Sequence, residues 1–174
     1  TLTRARGQSG DEPPAPTEPP QPFRTSGPRL EKPGDVGIGR QIPNVTVQTL
    51  DGASRGLAEL GGKNGLVIAL TSTTCPVSLR YVPSLTRLQG ELATDGIGFL
   101  WVNPFASETP DAVRAFLTEK GGIPPEVYVR DADKALSSVL GARTTTEVFF
   151  LDPSRTLIYR GAIDDQYGID YSLD

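Results

Sequence analysis

Residues 65–76 read Gly65-Leu66-Val67-Ile68-Ala69-Leu70-Thr71-Ser72-Thr73-Thr74-Cys75-Pro76. A continuous apolar run between a glycine and a row of hydroxyl side chains is the pattern of a strand buried on both faces. Leu66 to Leu70 is therefore expected to be the central strand of a sheet. Beyond it, Val77, Tyr81, Leu85, Leu88 and Leu92 recur at helical spacing, which predicts a helix that starts at Pro76 and lays this face on the sheet. Cys75 stands where the strand has ended and the helix begins. There the unpaired N–H groups of the first turn and the helix dipole favour a thiolate, and Arg80, about one turn further on, adds positive potential. A lone cysteine is often only a small buried hydrophobe; the strand-to-helix setting marks this one as reactive.

Working outward, Val45 and Val47 alternate with Thr46 and Gln48, and Asp51-Gly52 supplies a turn dipeptide, so a first strand or hairpin is expected. Downstream, Gly98 to Val102 reads as a second buried strand, and Asp111 to Lys120 as a helix behind Pro110. Glu126 to Val129 reads as a short strand, and Asp133 to Leu140 as a short helix stopped by Gly141. Val148 to Leu151 and Leu157 to Tyr159 form a hairpin around Asp152-Pro153-Ser154. A βαβ half followed by a ββ hairpin requires a mixed sheet with helices on its faces, because parallel neighbours need crossovers while hairpins are antiparallel. That arrangement is the thioredoxin-like α/β fold. Trp101 and Tyr128 fall within strands and are assigned to the core.

Residues 1–35 differ from the rest. They hold half of the 16 prolines and few large apolar side chains, so they cannot build a core. Proline favours extended polyproline II, and this stretch is expected to be a disordered or extended tail, or a segment that orders against a partner subunit. Its basic residues (Arg4, Arg6, Arg24, Arg29 and Lys32) are matched in number by Asp11, Glu12, Glu18, Glu31 and Asp35, unlike a polybasic membrane arm. The domain is taken as 36–174.

Composition excludes several chemistries. A net charge of −4 and a pI near 4.9 argue against a sequence-independent grip on nucleic acid. The run from Gly65 to Leu70 is far shorter than the roughly 20 residues of a transmembrane helix. With Cys 1 and His 0, an internal disulfide is impossible and zinc, haem and Cys-His catalysis are disfavoured. Asp164, Asp165 and Asp170 are candidate ligands for a cation, with plain solvation as their alternative role.

Four local features together carry a family resemblance: Ser72-Thr73-Thr74-Cys75-Pro76 at the helix start, Pro83 within that helix, Gly141-Ala142 ahead of Glu147-Val148-Phe149-Phe150-Leu151-Asp152, and Tyr159-Arg160-Gly161 with Asp164-Asp165. From Val36 to about Tyr167 the chain resembles the thioredoxin-like redoxin superfamily, in particular bacterial AhpC/TSA-type redoxin domains. The resemblance implies that Cys75 is the attacking residue. The peroxidases of the family place a proline, a Thr or Ser, and the cysteine at positions matched here by Ile68, Ser72 and Cys75, so the proline is replaced. Ser72 would donate to the thiolate or a peroxide oxygen, with strand-end hydrogen bonding as its alternative. The reductases use Cys-x-x-Cys, and Ser78 occupies the second position. Their cis-proline corresponds to Thr146, for which a trans peptide and a reshaped groove are expected. An arginine near the thiolate would be Arg130 or Arg143.

The candidate site is therefore Cys75, Ser72, Ser78 and Arg143 for the chemistry, with Thr74, Pro76, Thr146 and Asn103 lining a substrate groove, and neither metal nor cofactor. Any disulfide chemistry must end with an external thiol or a thioredoxin-type reductant, since resolution needs a second sulfur. The leading expectation is a thiol-dependent oxidoreductase, either a one-cysteine, peroxiredoxin-like peroxidase or a mixed-disulfide-forming redoxin. The competing expectation is an inactive redoxin domain that serves as an assembly subunit of a larger complex, contacted through the tail. Copper delivery ranks last, because the two cysteines and the histidine it uses are missing. The resemblance also implies an extracytoplasmic setting, periplasmic, secreted or membrane-attached.

Overall fold

Apolar residues at every position of a strand need cover on both sides, and the architecture supplies it. The computed structural model describes residues 31–164; segment 1–30 and the candidate ligands Asp165 and Asp170 lie outside them. In chain order the elements are β1 (Thr46–Gln48), β2 (Ser54–Gly56), α1 (Leu57–Leu60), β3 (Leu66–Leu70), α2 (Pro76–Thr94), β4 (Gly98–Asn103), α3 (Pro110–Lys120), β5 (Tyr128–Arg130), α4 (Ala135–Leu140), β6 (Glu147–Leu151) and β7 (Leu157–Ala162). The main sheet has the order β5-β4-β3-β6-β7. β3 pairs parallel with β4 and antiparallel with β6, so it is the central strand of a mixed sheet.

The side-chain period of two splits the core. Val67, Ala69, Phe99, Trp101 and Tyr128 face Tyr81, Val82 and Leu85 of α2 and Val113, Phe116 and Leu117 of α3. Leu66, Ile68, Leu70, Leu100 and Phe149 face the other way, onto Leu136 and Leu140 of α4, Leu57 of α1 and Val47 of β1. Trp101 is fully buried and its indole N–H donates to Gln89 Oε1 at 2.8 Å. Gly65 opens β3 at φ +128°, where a Cβ would lie 2.4 Å from the Leu151 carbonyl oxygen; only glycine fits that approach.

Three details depart from the sequence expectations. The strand predicted from Glu126 starts at Tyr128, because Pro125–Val127 form a 3-10 turn first. Leu57–Leu60 forms an unanticipated single turn of helix. The buried face of α2 runs through Ser78, Tyr81, Val82 and Leu85, while Val77 is 36% exposed. Successive helical residues are about 100° apart, so moving the face by one residue exchanges Val77 for a serine.

Candidate active site

The chain leaves β3 at the edge of the sheet where β6 enters, because the two strands are antiparallel. This brings Cys75 beside the threonine run that precedes β6. Cys75 is the N-cap residue of α2, in extended conformation, with Pro76 at the first helical position. Its carbonyl accepts the Leu79 amide at 3.0 Å, and its half-buried Sγ lies 3.7 Å from Thr145 Oγ1. Burial pushes the thiol up, but the Ser78 amide, the Thr145 hydroxyl, the Val77 amide and the Ser78 hydroxyl together hold it below its ordinary value. This is the helix N-terminus stabilising a thiolate.

Ser78 is only 2% exposed, and its hydroxyl has no hydrogen-bond partner among the described residues. An orphaned buried hydroxyl is costly. Its stabilising influence on Cys75 is the smallest of those at the sulfur.

Behind the sulfur, the Ser72–Thr74 turn is organised around a carboxylate. Glu108 is 5% exposed. Its Oε1 accepts from the Ser72 hydroxyl and, at 2.9 Å, from Thr74 Oγ1. Its Oε2 accepts from the Thr73 hydroxyl, from the Thr73 amide at 2.7 Å and from Asn103 Nδ2 at 2.7 Å. Burial pushes this carboxyl up, but the Ser72, Thr73 and Asn103 donors bring it down to about 2. Ser72 Oγ in turn accepts the Thr74 and Cys75 amides, each at 3.1 Å.

The remaining candidates fall as follows. Ser72 spends its proton on Glu108, the strand-end role, so the donation toward thiolate or peroxide does not occur in this arrangement. Asn103 is fully buried; it belongs to the Glu108 network and also donates to the Tyr128 hydroxyl at 3.3 Å, so it does not line a groove. Thr74 and Pro76 are exposed beside the sulfur. Thr146 is trans, with φ +73°, and its amide donates to the Leu70 carbonyl at 3.0 Å. The Arg143 guanidinium pairs with Glu31 at 3.4 Å and lines a separate cavity of about 580 Å³ with Thr146, Ile158 and Tyr159. Arg130 donates to the Glu108 and Ala106 carbonyls at 2.5 and 2.7 Å. Both arginines are thus engaged with partners other than the sulfur. Asp164 accepts a hydrogen bond from the Tyr81 hydroxyl. Among the described residues no cluster has the makings of a metal site, and no helix is long and apolar enough to cross a membrane.

Glu108 and Thr145 were not singled out from the sequence. The signal for Glu108 is the hydroxyl row itself: Ser72, Thr73 and Thr74 are adjacent donors at a strand end, and a carboxylate is the side chain best able to accept from several at once.

Comparison with known proteins bears on the fold and the family. The thiol-disulfide oxidoreductase ResA of Halalkalibacterium halodurans is 34% identical over 83 residues, 48% of this chain and 46% of its own length. The chain thus spans about half the length of that curated relative. A conserved protein from Geobacillus kaustophilus superposes with a TM-score of 0.68 at 22% identity, covering 75% of this chain and 71% of its own. The thioredoxin domain of a thiol-disulfide oxidoreductase from Bacteroides vulgatus gives a TM-score of 0.62 at 16% identity, covering 74% and 90%. These likenesses establish the thioredoxin-like fold. The redoxin family model matches residues 38–170, and the chain belongs to the redoxin family.

Proposed function

We propose that this redoxin exchanges thiols and disulfides through Cys75 as a one-cysteine site. The observation that carries the reading is the sulfur's placement at the start of α2, against the Val77 and Ser78 amides and the Thr145 hydroxyl, with its pKa lowered. The Cys75 thiolate attacks one sulfur of a substrate disulfide, forming a Cys75–sulfur bond and releasing the other sulfur as a thiolate. A second, external thiolate then attacks that mixed disulfide, leaves as a disulfide with the substrate sulfur, and returns Cys75 as thiolate. Ser78 cannot perform this resolution, so the partner is a thiol of another molecule or of another part of a longer chain, with a thioredoxin-type reductant as the natural class.

Exchange is favoured over peroxide reduction by three observations. Ile68 replaces the peroxidase proline, the Ser72 proton is committed to Glu108, and Arg130 and Arg143 are engaged elsewhere. Exposed Val77 beside the cysteine, and exposed Phe105 just beyond β4, offer apolar area to a protein substrate. In this reading residues 1–35 serve as a spacer toward a neighbouring protein and 36–174 as the redoxin unit. The chain works outside the cytoplasm, where such disulfides persist.

The test is the pH dependence of Cys75 alkylation, combined with mass detection of a mixed disulfide after exposure to a small aromatic disulfide, with Cys75→Ser as control. An apparent pKa below the free value of about 8.5 and a rapid mixed disulfide support the reading. A slow thiol with an ordinary pKa overturns it and leaves the assembly-module alternative. Fast loss of the thiol to hydrogen peroxide without disulfide exchange moves the assignment to a peroxidase.

A further inference from the structure

We propose that Glu108 is a positioning residue for Cys75: its buried carboxylate fixes the direction of the Ser72 hydroxyl, and that hydroxyl holds the backbone that aims the sulfur. The inference rests on the Cys75 reading above and adds a group that touches neither the sulfur nor its substrate.

A serine hydroxyl has one proton and two lone pairs. The Thr74 and Cys75 amides can only donate and so claim the Ser72 lone pairs, which turns its proton toward Glu108; Thr74 Oγ1, 3.2 Å from Ser72 Oγ, gives its own proton to the same carboxylate oxygen. The capacity of Ser72 is full, and with Ser72 buried water is a poor substitute. On Oε2, the Thr73 amide and Asn103 Nδ2 can only donate, so that position must be an acceptor. On Oε1, a group carrying protons would compete with two amides for the lone pairs of Ser72, and one amide would lose its acceptor. An ionised carboxylate satisfies both positions.

The charge itself is otherwise hard to account for. Among the described residues Glu108 forms no ion pair, so an anion is held in the interior by hydrogen bonds alone, an arrangement that carries a desolvation cost. The backbone around it is secured as well, by Arg130 on the Ala106 and Glu108 carbonyls and by the Phe105 amide on Asn103 Oδ1 at 3.0 Å. Three segments, the turn after β3, the turn after β4 and the end of β5, thus converge on the orientation of one hydroxyl next to the cysteine.

The experiment compares Cys75 alkylation against pH in the wild type, Glu108→Gln, Ser72→Ala and the double variant, with thermal unfolding to confirm folding. Removing a nearby negative charge would by itself lower the thiol pKa; loosening the turn that aims the sulfur raises it. The expected result is a rise of about one unit in each single variant, with the double variant no higher than the larger single one. The other titratable groups on the elements that meet near Cys75 include Arg80, Tyr81, Arg87 and Glu91 on α2, Arg143 and Glu147 around Thr145, Arg160 on β7 and Asp164 after it. All are retained in every variant. A fall or no change in Glu108→Gln, or additive shifts, overturns the inference. If Glu108→Gln does not fold, an unshifted Ser72→Ala overturns it on its own. A wild-type thiol of ordinary pKa sinks the Cys75 reading instead, so the two failures are distinct.

Discussion

Thr146 donates its amide to the Leu70 carbonyl at 3.0 Å while its own backbone stands at φ +73°. A β-branched residue in the left-handed region is strained by about 1–2 kcal/mol, and glycine there costs about 0.5–1 kcal/mol in chain entropy. Thr146→Gly is therefore expected to stabilise the domain by roughly 0.5–1 kcal/mol, read as a rise of about 2–3 °C in Tm. Thr146→Pro, which restores the family residue, removes the donor and cannot reach this φ, so it should destabilise by more than about 1 kcal/mol. A lower Tm for the glycine variant would refute the strain.

Much of the fold was legible because it depends on local pattern. The run Leu66–Leu70 and the recurrence through Leu85 specify a buried strand and a helix without knowledge of the rest. Val77 was misplaced because the buried face of α2 includes a serine, and a pattern search for apolar residues passes over Ser78 and settles one residue early. The start of β5 was missed because Pro124 and Pro125 impose their own turn first. Glu108 was invisible for a different reason: its partners Ser72, Thr73 and Thr74 lie 34–36 residues away. The choice of Arg130 and Arg143 for carbonyls and Glu31 is likewise decided by tertiary proximity.

The Glu108 carboxyl stands at about 2 against an ordinary 4.5. A depressed acid contributes stability that is present above its unfolded pKa and is lost as pH falls through the folded one. The domain should weaken between about pH 4.5 and 2, and Glu108→Gln should show a smaller loss across that interval. Urea unfolding at several pH values gives the comparison; parallel curves for the two proteins would contradict it.

Ser78→Cys places a second sulfur at the position where the reductase pattern has one. Under the exchange mechanism, the mixed disulfide at Cys75 should then be resolved internally, leaving a disulfide between Cys75 and the introduced thiol without any external reductant. Mass spectrometry after a disulfide challenge distinguishes the cases. Persistence of the adduct at the wild-type level would count against the assigned geometry.

Arg160 and Glu147 form an ion pair at 2.6 Å with side chains only 8% and 12% exposed, and the guanidinium lies 5.4 Å from the Phe149 ring centre. Arg160→Ala leaves the part-buried Glu147 carboxylate with the Arg143 amide at 2.7 Å as its remaining partner, and a loss of about 1–3 kcal/mol is expected. A loss below about 1 kcal/mol in denaturant unfolding would show that the pair is screened by solvent.

The contact between Cys75 and Thr145 spans 70 residues of chain, and it exists only because β6 has been inserted beside β3. Non-local pairings of this kind form late in folding, after the loop-closure entropy has been overcome. Before β6 is in place the thiol has only the Val77 and Ser78 groups of its own helix to favour the thiolate, and the Thr145 share is added when the sheet is complete. The sulfur is in this sense fitted out in two instalments, one from its neighbours in sequence and one delivered from far along the chain.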